Sequence, residues 1–455
     1  MRMKCAAAVG AVLFLWVKAL ALDAPPKREF RGAWIATVHN LDWPSSRGLT
    51  PEVQRRELVD WLDELSGCGV NCVVLQIRPE CDALYASPYE PWSYHLTGAQ
   101  GVAPVPFYDP LAFAVQQAHQ RGMELHAWFN PYRAVSNSGA YSLSPQHVSQ
   151  RHPDWIISIG SIQFLNPGLP EVREYVVRVV MDVVRRYDID GIHFDDYFYP
   201  YPPNQITTED QNAFALYGQA SPDIHTWRRA NVHAFVQMMH DSLQIVKPQV
   251  KFGISPFGIW KNGVPSGIAG LSAYDAIYCD AVTWLQHQWI DYLTPQLYWK
   301  IGGAQDYSRL MRWWSARMNG RHLYTGNAAY RISEWSSREM PNQLRLNRSG
   351  SLAYGQIFYR ATSLRENPSG FTDSLKSNFY RFPSLMPVMT WKDSLPPLPP
   401  ERLRFYPPAS GGPVLRWDPP LQAGDGDTAA RYALYRIHGT EVTTADLHPA
   451  NLLAV

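Results

Sequence analysis

The run Asp190-Gly191-Ile192-His193-Phe194-Asp195-Asp196-Tyr197-Phe198-Tyr199-Pro200 joins a short apolar strand pattern to two adjacent carboxylates and an aromatic, proline-bearing loop. A strand buried in a parallel sheet is normally apolar throughout. Acids at its C-terminal end are costly there unless the strand delivers them to solvent. Two carboxylates held together suit acid/base chemistry, in which one protonates a leaving oxygen and the other stays ionised. Along this strand Ile192 and Phe194 share one face, and His193, Asp195 and Tyr197 share the other. With the apolar pair packed outward, His193 and Asp195 point inward and Asp196 lies at the lip. Asp195 is the candidate essential carboxylate, and Asp196 its partner or positioner.

Other strand patterns end in polar groups in the same way. They supply Gln76-Ile77-Arg78-Pro79-Glu80, Asn130-Pro131-Tyr132-Arg133, Ser255-Pro256, Gln296-Leu297-Tyr298-Trp299, and Asn327 followed by Tyr330-Arg331. Converging on one rim, these termini make a polar-lined ligand cleft. Arg78, Asn130, Tyr132, Arg133, Gln296, Tyr298, Asn327 and Tyr330 are the expected substrate-binding residues, with Trp34, Trp128 and Trp299 as candidate stacking platforms. Glu80 is a weaker candidate for a second acid. The chemistry requires no metal and no cofactor. A metal-dependent alternative rests on His39, His126 and His193, which fall at or within strand patterns one, three and four.

The elements that must position these residues alternate in type. Strand patterns cover Phe30–Val38, Cys72–Arg78, Glu124–Phe129, Gly191–Asp195, Lys251–Pro256, Tyr292–Tyr298, Leu323–Ala328 and Ala353–Phe358. Helical patterns cover Thr50–Cys68, Pro110–Arg121, Pro170–Arg186, Thr226–Val246 and Tyr307–Met318, with Pro51 and Pro170 where a helix tolerates proline. Eight strands alternating with helices predict a (β/α)8 TIM barrel over 29–390. A doubly wound sheet is the runner-up, without a GxGxxG or Walker A loop to support it. Prolines stiffen a linker over 391–400. Short alternating patterns follow over 401–455, the third at Ala430–Ile437, and predict a small all-β segment.

Composition narrows the function. The 455 residues are 46% hydrophobic and 18% charged, enough for a large core. Forty-one basic residues against 40 acidic ones leave no field for a polyanion, which disfavours nucleic acid as a partner. Aromatic content is 13%, with 17 Trp and 25 Tyr, a supply that exceeds core needs and suits stacking on sugar rings. Arg2 and Lys4, the apolar run Cys5–Val17 and Ala19-Leu20-Ala21 predict a cleavable export signal over 1–21. Export would place the protein in the periplasm or outside the cell, with no transmembrane anchor once the signal is removed. Cys68, Cys72, Cys81 and Cys279 lack zinc-type spacing and are expected as buried free thiols, or at most one disulfide.

Glu29-Phe30-Arg31-Gly32-Ala33-Trp34-Ile35-Ala36-Thr37-Val38, Gln76-Ile77-Arg78-Pro79, Asn130-Pro131-Tyr132-Arg133, the Asp190–Tyr197 run and Pro295-Gln296-Leu297-Tyr298-Trp299 resemble, in order, the glycosyl-hydrolase-like 10 family. The resemblance implies an exported bacterial (β/α)8 glycoside hydrolase. Its substrate class would be peptidoglycan glycan strands freed of their stem peptides, with some members carrying a fibronectin type III-like module. The tail over 401–455 is short for a complete sandwich of about 100 residues. Asp190–Asp195 also resembles a chitinase motif, but Tyr197 stands where that motif has its Glu acid. The expected activity is glycosidic cleavage of an amino-sugar polymer, by carboxylate acid/base or acetamido-assisted catalysis. The alternative is a non-catalytic cell-wall binder on a degenerate barrel.

Overall fold

A computed structural model describes residues 22–406, 414–426, 429, 431–437 and 442–455. The proposed export signal lies outside these residues. Eight parallel strands close a barrel: β1 Phe30–Ile35, β2 Cys72–Arg78, β3 Glu124–Phe129, β4 Gly191–Phe194, β5 Lys251–Ile254, β6 Tyr292–Leu293, β7 His322–Ala328 and β8 Gly355–Tyr359. β1 pairs with both β2 and β8, which closes the ring. The TIM-barrel expectation therefore holds.

Helix starts follow local chemistry. In α1 (Pro51–Gly67) the Thr50 side chain accepts from the Val53 amide, and in α2 (Pro110–His119) Asp109 accepts from that of Ala112. Each cap satisfies an amide that the first turn leaves free, and the proline that follows gives up no needed donor. Helix α3 is Pro170–Arg186, and α4, Ile224–Val246, is capped by Asp223.

Two cores divide the barrel wall. Outside it, Ile192 and Phe194 are buried with Phe129 and Phe252, and Phe194 stacks 5.3 Å from Phe235 of α4. Each such side chain contributes about 1.5–3 kcal/mol on burial, which fixes the strand's facing. Inside it, Phe30, Trp34, Cys72, Val74, Trp128, Tyr292, Tyr324 and Ile357 fill the axis. Gly253 is required here: a Cβ at that position would lie 1.8 Å from the Tyr292 ring.

The sixth strand pattern, Tyr292–Tyr298, ends early. Pro295 has no amide hydrogen to continue the ladder, so β6 stops at Leu293 and resumes only as isolated bridges of Gln296 to Phe257 and Gly326. A three-stranded antiparallel sheet of Arg133–Val135, Ile162–Leu165 and Ile156–Ile159 was not expected; it extends the loop after β3. In the tail, Glu401–Tyr406 pairs with Val414–Asp418, and Leu434–Tyr435 with Leu452–Ala454. The expected third strand is thus shortened to two residues, and part of its range lies outside the described residues. Cys68, Cys72, Cys81 and Cys279 are all free and buried. Among the described residues no helix is long and apolar enough to cross a membrane.

Candidate active site

The C-terminal end of β4 carries both acids to a cavity of about 210 Å³. Its lining includes Trp34, Gln76, Trp128, Arg133, Asp195, Asp196, Tyr201, Ser255, Gln296, Tyr298 and Tyr359. This is the barrel face where substrate chemistry is normally built.

Asp195 is held by donors alone. The Trp128 indole N–H and the Asn130 amide each donate to its Oδ2 at 3.0 Å, and the Tyr197 backbone N–H donates to Oδ1 at 3.2 Å. Burial pushes the Asp195 carboxyl up from its ordinary range, and the Arg133 charge and these donors oppose that push. Asp196 has fewer compensations. Burial first, then the neighbouring Asp195 charge, raise it to about 7, against Arg133 and a hydrogen bond with Gln296. Adjacent acids in one buried site cannot both ionise cheaply. Because a carboxylate accepts and a carboxylic acid also donates, the charge belongs on Asp195 and the shared proton on Asp196.

A polar column beneath the site fixes its floor. The Trp34 indole N–H can only donate, and it lies 3.2 Å from His193 Nε2. His193 therefore accepts at Nε2, carries its proton on Nδ1, and donates to the Tyr292 hydroxyl at 3.0 Å. That hydroxyl in turn donates to His126 Nδ1 at 2.8 Å, which leaves His126 Nε2–H to donate to Glu124 at 3.2 Å. Burial holds His193 well below its ordinary pKa and so neutral. Every orientation in this column follows from one obligate donor.

Cys72, Glu124 and His126 approach one another closely enough to ligate a cation. The Lys251 ammonium already sits 2.5 and 2.6 Å from the two Glu124 oxygens, and burial keeps the Cys72 thiol protonated. The donor set is thus matched to an internal ammonium. His126 and His193 share Tyr292, but His39 borders a different cavity, so the three histidines do not form one metal set.

Not every expected cleft residue reaches the cavity. Arg78 is wholly buried, bidentate on Glu90 at 2.7 and 2.5 Å, and donates to the Asn130 and Pro131 carbonyls. Its guanidinium is consumed in bracing the loops after β2 and β3. Tyr132 is buried against Phe235, 5.2 Å away, in the outer core. Asn327 is buried among Thr325, Tyr307 and Gln343. Each of these three is a correction: burial and saturated or enclosed polar groups remove it from the substrate surface.

Asn130 orients Asp195. Arg133, Gln296 and Tyr298 line the cavity, and Tyr330 stands half-exposed at its edge, 5.8 Å from Tyr298. Trp34 and Trp128 line the cavity too, whereas Trp299 lies outside its lining, packed against the outer core. Glu80 is fully buried and accepts from His95, Ser136 and Tyr141.

Gln76, Ser255, Tyr201 and Tyr359 also line the cavity, with Val38. Gln76 and Ser255 already stand at polar strand ends in the sequence, and Tyr201 extends the aromatic run after Asp196. Tyr359 lies one residue beyond the strand pattern assigned to β8. Gln76 is informative because its Oε1 accepts from the Thr37 and Val38 amides, at 3.0 and 2.9 Å. That fixes the amide's orientation and leaves Nε2 buried without a partner among the described residues. A buried donor without a partner costs about 1–3 kcal/mol, and on a cavity wall a ligand acceptor relieves that cost.

Comparison with known proteins identifies the family and the fold. Residues 29–342 match the glycosyl hydrolase-like 10 family. The chain is 41% identical over 438 residues to the glycosyl hydrolase YngK of Bacillus subtilis, covering 93% of this chain and 85% of that one. It is 36% identical over 373 residues to the glycosyl hydrolase DigH of Escherichia coli K12, covering 74% and 84%. Among solved structures, the PgaB (BpsB) glycoside hydrolase domain of Bordetella bronchiseptica shares the fold with a TM-score of 0.51 and 14% identity. That match covers 77% of this chain and 98% of the other. The chain belongs to the glycosyl hydrolase-like 10 family and is a glycoside hydrolase.

Proposed function

We propose that this hydrolase is exported and cleaves an amino-sugar polymer, namely cell-wall glycan stripped of its peptides, with Asp195 and Asp196 as the reacting acids. The observation that carries the reading is the pairing itself. One acid is surrounded by donors and a guanidinium, and its neighbour is raised to about 7. Trp34, Tyr201, Tyr298 and Tyr359 around them offer faces to a sugar's CH-rich surface, and Gln76 offers a free N–H. Export is supported by the basic, apolar and small-residue order of positions 1–21. The substrate class is supported by the family's motifs.

Adjacent acids at one strand end favour the acetamido-assisted route. Asp196 gives its proton to the glycosidic oxygen as the C1–O bond breaks, and the substrate's own acetamido oxygen bonds to C1. Ionised Asp195 polarises the acetamido N–H through that step. Water then attacks C1, the acetamido group leaves, and the water's proton returns to Asp196.

The test is product analysis after incubating the protein with purified, peptide-stripped glycan. Soluble oligosaccharides are expected from the parent protein. Release from a different polymer but not from this one overturns the substrate assignment.

A further inference from the structure

A second cavity, of about 320 Å³, opens beside the first and is lined by His39, Arg47, Tyr94, His95, Ser136 and Tyr141, among others. The two share consecutive stretches of chain. Val38 lines the first and His39 the second; Arg133 lines the first, and Ser136 follows it at the end of the same strand. The first alone falls below the usual ligand-site range of roughly 300–1,000 Å³.

The walls of the second cavity specify a ligand. Tyr94 and Tyr141 stack at 4.0 Å and 5°, and the Tyr141 hydroxyl is tied to Glu80 at 2.8 Å, which fixes the pair as an aromatic wall. His95 is 3% exposed, and its Nε2 is committed to Glu80 at 3.1 Å. Its Nδ1 is buried with no partner among the described residues. This ring atom is therefore left to a ligand hydroxyl. His39 and Asn40 both hold φ of +54°, in the left-handed region. Non-glycine residues there cost free energy and cluster at ligand sites. Arg47 lies exposed with its guanidinium 5.2 Å from the Tyr94 ring. The buried Glu80 is already held by His95, Ser136 and Tyr141.

We infer that this cavity is a second sugar subsite for a unit bearing a carboxylate: its ring lies on the Tyr94–Tyr141 wall, a hydroxyl meets His95 Nδ1, and the carboxylate meets Arg47. The inference rests on the proposed function and sharpens it. An ether-linked carboxylate on an amino sugar is free only when no peptide is amide-bonded to it. Arg47 would therefore select stripped over peptide-bearing strands.

The test compares the parent, Arg47→Ala and Arg55→Ala on two substrates: stripped glycan, and the same glycan with its carboxyls reduced to alcohols. Arg55 lies on α1, away from both cavities. On the carboxylate glycan Arg47→Ala is expected to raise KM roughly tenfold with kcat unchanged, while Arg55→Ala matches the parent. On the reduced glycan all three are expected to share one KM, higher than the parent's on the carboxylate form. Equal KM for parent and Arg47→Ala on the carboxylate glycan overturns the subsite and leaves the proposed function standing. Failure of the parent to cleave either glycan overturns the proposed function and, with it, the subsite.

Discussion

Two pairs of neighbouring acids stand at the same end of this barrel, and they differ in access to solvent. Glu80 and Asp82 are both fully buried. Burial opposes the Glu80 charge, but His95, Arg133 and Ser136 outweigh it and hold that carboxyl well below its usual range. Burial and the Glu80 charge raise Asp82. Burial raises both Asp195 and Asp196, and the Asp195 charge raises Asp196 further, yet both line an open cavity. A perturbed acid pair is therefore no signature of catalysis by itself. What separates the pairs is that every Glu80 acceptor is spent on the protein, whereas Asp195 and Asp196 face space that a substrate can fill.

The comparison breaks first on activity. Asp195→Asn and Asp196→Asn are each expected to lower kcat by roughly 10²–10⁴-fold, the range for losing an acid/base group. Their circular dichroism and thermal midpoints should stay close to the parent's. Loss of folding instead would make the second pair as structural as the first.

Arg78→Ala tests the buried side of the comparison. It strands Glu90 without its bidentate partner and is expected to cost about 3–5 kcal/mol in denaturant unfolding. Glu80→Gln leaves three donors facing an amide and is expected to cost about 1–3 kcal/mol. Turnover per folded molecule should stay within tenfold of the parent's. A full loss of turnover in a folded Glu80→Gln protein would move the acid assignment toward Glu80. On the open side of the comparison, Trp128→Phe removes one of the three donors to Asp195. A hydrogen bond to a charged group contributes about 1.5–3 kcal/mol, so kcat/KM is expected to fall roughly 10- to 150-fold.

The facing of β4 was legible in the sequence, because Ile192 and Phe194 alternate with His193 and Asp195 and only one facing buries the phenylalanine. The barrel was legible for the same reason, repeated eight times. What composition and spacing could not convey was where a polar side chain spends its donors. Arg78 and Asn327 sit at strand ends just as Arg133 and Gln296 do, but Glu90, in the loop after β2, and Gln343, in the helix Glu339–Arg348 after β7, fold back onto them. Tyr132 follows Asn130 in sequence and turns into the outer core because Phe235 of α4 waits there. The pairing of Trp128 with Asp195 was equally hidden: as a residue type, tryptophan suggests a stacking platform, and only geometry shows its N–H at the carboxylate. Pro295 is the opposite case, a break in β6 that its missing amide hydrogen explains in full.

The most direct test of the shared proton is the pH dependence of kcat/KM, which reports the ionisation of the free enzyme. Protonated Asp196 is required as the acid and ionises at about 7. The profile should therefore fall above that pH, and fall on its acid side as Asp195 gains a proton. A kcat/KM that stays level from pH 6 to pH 9 would contradict the account, because Asp196 would then be ionised over much of that range without consequence.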